Sequence, residues 1–173
     1  IYDAINKGLR IATGDIVGVL HSDDTFTSPY LLKKVRDEFL KKNDCDALYG
    51  DVAYLSLANS DKIGRYYSSK NLGRKHLKYG VAPAHPSLFM KRSLLETVGY
   101  YSTEFRIAGD FEYFCRLFNN KSISIGYYEF PSTFMLPTGT SRPTLKTFLK
   151  VSNEIIMACT KNGIYSNIVL SSV

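Results

Sequence analysis

The run Ile16 to Leu20, IVGVL, is short, apolar and rich in β-branched residues, and it stops at His21, Ser22 and two adjacent carboxylates, Asp23 and Asp24. Too short for a helix and lacking the alternation of a strand wetted on one face, such a run reads as a parallel strand buried on both faces. Ser28 and Pro29 then supply an N-cap and a first-turn proline, and YLLKKVRDEFLKK places Leu31, Leu32, Val35 and Phe39 on one helical stripe. Strand, acidic loop and helix in that order restrict the chain to folds in which helices cover a sheet.

The rest of the chain repeats this alternation. Ahead of the run, IYDAINKGLRIA reads as a helix with Ile1, Ile5, Leu9 and Ala12 near one face, closed by the turn Thr13 to Asp15. Beyond it, Asp46 to Leu57 reads as a strand interrupted at Gly50 and Asp51, and Ile63 to Tyr67 as its antiparallel return. SSKNLGRKHLKYG is basic and loop-like, and PSLFMKRSLLETVGYY reads as a strand end and a short helix closed by Gly99. In Ala108 to Asn120, Phe111, Phe114, Cys115 and Phe118 have helical spacing. SISIGYYEF reads as a strand, LPTGTSRPT as a loop, and Leu145 to Asn162 as an amphipathic helix ending at Gly163. No repeat or linker divides the 173 residues. One α/β domain over 1–173 is expected, in three stretches: 1–50, 51–142 and a C-terminal helical segment, 143–173.

Composition narrows the partners rather than the fold. At 45% hydrophobic and 22% charged, the chain can bury a core and is not disordered. Cys45, Cys115 and Cys159 are odd in number and widely spaced, as reduced thiols are, without metal-finger rhythm. The net charge of +6 favours anionic partners. No apolar run approaches the roughly 20 residues of a membrane span. A cytoplasmic location, at the inner face of the membrane, is the expectation. Because the chain opens at Ile1 within a helical pattern, a segment ahead of it is also expected.

Asp23 and Asp24 lie where the carboxyl end of a strand is predicted, the position at which open α/β sheets bind ligands. Adjacent carboxylates repel, and a hard divalent ion such as Mg²⁺ or Mn²⁺ would offset that repulsion. A polar turn with capping groups accounts for the same residues. What separates the two readings is the surrounding sequence. Asn6-Lys7-Gly8, Thr13-Gly14-Asp15 and Ser22-Asp23-Asp24, in that order, resemble the nucleotide-sugar-binding half of family-2 glycosyltransferases. His85 in APAHPSLF, the stretch Gly99, Tyr101 and Phe105, and Asp110 at a helix start resemble the acceptor half, and PTGTSR is similar to a flexible loop that follows it.

The resemblance, over roughly Ile1 to Arg142, implies a three-layer α/β/α sandwich of GT-A type with a mixed, mainly parallel sheet lacking its first strand or strands. It implies an inverting transfer from a nucleotide-diphosphate sugar donor to a saccharide or lipid-linked hydroxyl acceptor, in cell-envelope polysaccharide or glycolipid synthesis. By it, Asp24 is the ligand of a divalent metal (Mg or Mn), Asn6, Lys7, Asp23 and His85 meet the donor, and Asp110 is the catalytic base. A chain without Trp has no Gln-x-x-Arg-Trp element, which disfavours processive synthesis.

Each role has a plainer competitor. Asp110 could be a helix cap, and Glu112 is the nearby alternative carboxylate. His85 could be structural; His21 and His76 read as surface or loop residues. Lys7, Arg65, Arg74 and Lys75 could meet a diphosphate or solvate a face. The pairs Tyr66-Tyr67 and Tyr100-Tyr101 could stack on sugars or simply pack. A non-catalytic nucleotide- or carbohydrate-binding module is the alternative function. Nucleic-acid binding has only the basic balance and tyrosines behind it, and glycoside hydrolysis calls for carboxyl groups on opposite sides of the bond.

Overall fold

The computed structural model describes residues 1–57, 62–136 and 145–167. In chain order they form α1 (Tyr2–Ile11), β1 (Ile16–Gly18), β2 (Thr25–Phe26), α2 (Leu31–Lys41), β3 (Ala47–Leu55) and β4 (Ile63–Tyr67). There follow α3 (Arg74–Leu77), a 3-10 turn at His85–Ser87, β5 (Phe89–Lys91), α4 (Leu94–Thr97), α5 (Gly109–Asn119), β6 (Ile125–Met135) and α6 (Leu145–Lys161). The expected loop Pro137 to Arg142 falls outside the described residues.

The sheet runs β1-β5-β3-β6-β2, with β4 added to the second half of β3. Side chains alternate across it. Leu48, Phe89 and Tyr128 meet Leu31, Val35 and Phe39 of α2 on one face. Ala47 and Met90 meet the larger core on the other, with Leu9 of α1, Phe111 and Phe114 of α5 and Ala158 of α6. Helices on both faces make three layers, the α/β sandwich anticipated.

The sheet is mixed, but its strand directions correct the expectation. Among the described residues only the β3–β6 pairing is parallel; β1–β5, β3–β5, β3–β4 and β2–β6 are antiparallel. An apolar run reports burial by helices, which is indifferent to strand direction, so IVGVL could not reveal that β1 runs against β5. Burial was overstated there too: Val17 is buried, while Leu20 is 43% exposed. Nor do Gly50 and Asp51 interrupt β3, which runs unbroken past them. The irregularity lies across the ladder in β6, where the register steps from Tyr49↔Tyr127 to Asp51↔Pro131. That bulge carries the Tyr128 ring over Gly50, where only a hydrogen leaves room for it.

Asp51 explains why a carboxylate can sit in the middle of this sheet. Although buried, it accepts hydrogen bonds from Tyr66 Oη (2.7 Å), Tyr127 Oη (2.9 Å), Ser68 Oγ (3.2 Å) and the Ser69 N–H (2.7 Å). Four donors satisfy the charge that burial would otherwise make costly. Ser69 Oγ in turn accepts the Ala84 N–H at 3.2 Å, tying the segment before the 3-10 turn to the sheet.

Candidate active site

The cavity that gathers chemistry lies between the end of the β1 strand region, the segment 80–86 and the first turn of α5. It encloses about 410 Å³, and its wall includes His21, Tyr54, Tyr67, His85, Asp110 and Phe114. Two of the residues singled out from sequence, His85 and Asp110, thus meet in one place. His21, read as a surface or loop residue, joins them: its ring lies 5.6 Å from that of His85. Chain spacing gave no sign of this, because the contact joins positions 64 residues apart (85 − 21).

Asp110 stands in the first turn of α5. Its Oδ1 accepts the Phe111 N–H at 2.8 Å and lies 3.3 Å from Tyr2 Oη, and among the described residues nothing engages Oδ2. Tyr2 is the residue sequence reasoning missed. Its ring packs where a Cβ on Gly109 would fall, at 2.6 Å, and its hydroxyl donates to the Ile107 carbonyl at 2.5 Å while accepting the Gly109 N–H at 2.8 Å. Burial, and next the Asp110 charge, raise the Tyr2 pKa, keeping it a neutral donor. Glu112, the alternative carboxylate, is committed elsewhere: it is buried and pairs with Arg116 through two 2.8 Å bonds. Arg116 also donates to the Val98 and Tyr100 carbonyls, fixing the turn that Gly99 closes with φ 81°.

His85 is buried, with Nε2 2.8 Å from Tyr101 Oη. Burial, the dominant cause, pulls its pKa down to about 4; the Asp110 charge opposes this and His21 adds to it. The imidazole is therefore neutral at pH 7. In the unfolded chain the same group protonates near 6.5. The unfolded state then binds more protons between pH 6.5 and 4, so stability is fully present above that window and is lost as pH falls through it. Urea titrations are expected to show a loss of about 2–3 kcal/mol over that interval that is absent in His85→Gln. Equal pH dependence in the two proteins would show that His85 protonates freely in the fold.

The acidic pair divides. Asp23 is exposed, whereas Asp24 is 7% exposed and its Oδ2 is buried without a hydrogen-bond partner. Burial holds the Asp24 carboxyl above the usual carboxylate range; the Asp23 charge adds to this and His21 partly offsets it. An orphaned, desolvated carboxylate oxygen fits a hard cation. Among the described residues no three His, Cys, Asp or Glu side chains cluster closely enough to hold a metal. A divalent ion here would accordingly complete its shell with substrate oxygens and water.

Asn6 and Lys7 do not reach the cavity wall. Asn6 is buried, donating from Nδ2 to the Tyr101 carbonyl (2.8 Å) and accepting the Tyr101 N–H (2.9 Å), so it positions the tyrosine that meets His85. Lys7 is exposed and pairs with Asp3 at 2.9 Å. Tyr101 itself is buried and stacks on Tyr113 with centroids 4.2 Å apart, packing rather than offering a platform.

Residues 1–118 match the model of glycosyl transferase family 2, and the chain belongs to that family. It is 28% identical over 127 residues to a PGL/p-HBAD biosynthesis glycosyltransferase of Mycobacterium bovis, covering 73% of this chain and 47% of the relative. It is 31% identical over 115 residues to an uncharacterized glycosyltransferase of Mycobacterium tuberculosis, covering 66% and 43%. The chain therefore spans about half the length of the curated relatives it matches. Among solved structures, S. aureus TarS 1-349 superposes with a TM-score of 0.58 at 17% identity, over 91% of this chain and 44% of that one. The same protein in complex with UDP-GlcNAc gives 0.56 at 16%, over 88% and 45%.

Proposed function

We propose that this chain forms part of an inverting glycosyltransferase that moves a sugar from a nucleoside-diphosphate donor to a hydroxyl acceptor, with Asp110 as base and Asp24 at the diphosphate. The observation that carries the reading is the placement of Asp110 on a cavity wall with Oδ2 disengaged, while Glu112, two residues on, is locked to Arg116. In the reaction the acceptor oxygen attacks the anomeric carbon, the bond from that carbon to the diphosphate oxygen breaks, and the acceptor proton passes to Asp110 Oδ2. Neutral His85, held by Tyr101, lines the pocket without adding charge of its own. A divalent ion at Asp24 would supply charge neutralisation on the departing diphosphate. Asp23, exposed beside it, is available to ribose or sugar hydroxyls.

UDP-sugars are the first donors to try, because TarS is a fold neighbour in complex with UDP-GlcNAc and with UDP. The proposal extends to envelope glycolipid or polysaccharide synthesis, with a saccharide or lipid-linked acceptor presented at the inner membrane face; one relative carries the name PGL/p-HBAD biosynthesis glycosyltransferase. Among the described residues no helix is long and apolar enough to cross a membrane.

The deciding experiment is a thermal-shift panel of UDP-, GDP- and dTDP-sugars on the complete polypeptide, with and without Mn²⁺. At a donor concentration about 100 times Kd, stabilisation of about 2.7 kcal/mol is expected with metal. In Asp24→Asn the metal-dependent part should vanish, while the protein without metal becomes more stable, since an unsatisfied buried charge is gone. No shift with any donor would overturn the transferase reading and leave a binding module of other specificity.

A further inference from the structure

We propose that Glu154 of α6 is a positioning residue for Asp110, acting through the backbone of residues 106–108; the inference rests on the role of Asp110 given above. One carboxylate oxygen of Glu154, Oε2, accepts three successive backbone N–H groups, those of Arg106 (3.1 Å), Ile107 (2.8 Å) and Ala108 (2.8 Å). These amides run into the first turn of α5, where N–H groups have no intrahelical acceptor. The following N–H, that of Gly109, goes to Tyr2 Oη, and that of Phe111 to Asp110 Oδ1. Amides converging on one anionic oxygen form an anion nest, and here the anion comes from a helix 46 to 48 residues further along the chain.

The consequence for the site follows from the next bonds outward. The peptide whose N–H is held by Glu154 includes Ile107, and the Ile107 carbonyl accepts Tyr2 Oη at 2.5 Å. Tyr2 Oη lies 3.3 Å from Asp110 Oδ1 and packs its ring on Gly109. Glu154 thus sets the turn, and the turn sets both the Tyr2 hydroxyl and the start of α5, where the Phe111 N–H holds the oxygen of Asp110 that stays inside the structure. The other oxygen is left for the acceptor. A negative charge at the amino end of α5 also opposes the partial positive charge there, so the carboxylate is favoured over a neutral acceptor. The family match ends at residue 118, before α6 begins, so Glu154 lies beyond the matched residues while Tyr2 and the turn that it holds lie within them.

Among the described residues no other carboxylate accepts these amides. Glu104, the nearest in sequence, pairs with Lys161 and accepts from Ser102, and Glu112 is held by Arg116. Core packing of α6 is supplied separately by Ile155, Ala158 and Cys159, so anchoring the helix does not require Glu154.

The test compares Glu154→Ala, Glu154→Gln and the packing control Ile155→Ala in the complete polypeptide. Two readouts are used: steady-state transfer kinetics, and the carbon-13 shift of the Asp110 carboxyl through a pH titration. Glu154→Ala is expected to lower kcat about 10- to 100-fold with donor KM nearly unchanged, because the donor site keeps its groups while the base is displaced. It should also move the Asp110 titration curve. Glu154→Gln, which retains an acceptor oxygen, should recover part of both effects and decides the question if the alanine variant does not fold. Ile155→Ala should lose stability but keep kcat and the Asp110 curve. Should Glu154→Ala and Ile155→Ala behave alike at matched stability, or kcat and KM fail together, the positioning role is overturned. If the wild-type protein transfers no sugar, the transferase reading fails by itself, and the Asp110 titration still decides whether Glu154 controls that carboxylate.

Discussion

Asp110→Asn should lower turnover by about 10²- to 10⁴-fold while leaving the melting temperature nearly unchanged, the signature of losing a base without losing a fold. Asn keeps an oxygen to accept the Phe111 N–H beside the Tyr2 hydroxyl, so the bond that Asp110 Oδ1 now makes survives the substitution. What disappears is the second carboxylate oxygen, the one that can take a proton. Glu112→Gln should behave in the opposite way. It breaks a buried pair with Arg116, whose guanidinium also holds the Val98 and Tyr100 carbonyls, and stability should fall by on the order of 2–4 kcal/mol. Any activity lost in that variant should return when it is assayed cold enough to be fully folded. Paired kcat and denaturation measurements separate the two carboxylates. Near-normal turnover in Asp110→Asn would assign proton removal elsewhere.

Gly50→Ala is expected to cost at least about 3 kcal/mol, or to prevent folding, though it adds only a single methyl. The new Cβ would lie 2.0 Å from Tyr128 Cε2 and 2.5 Å from both Cδ2 and Cζ. Tyr128 has nowhere to go: its ring is buried 4.5 Å from that of Phe130, and its hydroxyl donates to the Ser87 carbonyl at 2.7 Å. Gly126→Ala supplies a graded comparison, because its clash at 2.7 Å is with Leu48 Cδ2, the end of a side chain that can rotate. Chemical denaturation should rank Gly50→Ala well below Gly126→Ala, and both below wild type. Equal stabilities would refute the bulged β3–β6 register.

Helix stripes were legible because their signal is local. Leu31, Val35 and Phe39, and Phe111, Phe114 and Cys115, are buried as their spacing predicts, and Gly99 and Gly163 adopt the positive φ of helix-ending glycines. Leu32, on the expected α2 stripe, is 58% exposed because that stripe is narrower than the run of leucines. In α1 the buried face is Tyr2, Asn6 and Leu9, while Ile1 is 78% exposed. The pattern found Leu9, with Ile5 and Ala12 packed against the core, but not Asn6, which is polar and buried for its hydrogen bonds. His85 and Asp110 were reachable through resemblance, whereas His21, Tyr2 and Glu154 act across 46 to 108 residues of chain, and Asp51 across 15 to 76, in contacts that no side-chain motif encodes. Strand direction was invisible for a similar reason: pairing is decided between distant segments, and the apolar content of IVGVL is the same either way.

The four donors around Asp51 bear on how the cavity can choose its guest. Ser69, one of the four, grips Ala84, so the wall bearing His85 is continuous with the middle strands of the sheet instead of hanging from a surface loop. Such a wall cannot swing aside to admit a bulkier sugar or close over a smaller one. Discrimination on that side must then come from a fixed outline, in the manner of a mould, and whatever adapts to the substrate must lie opposite.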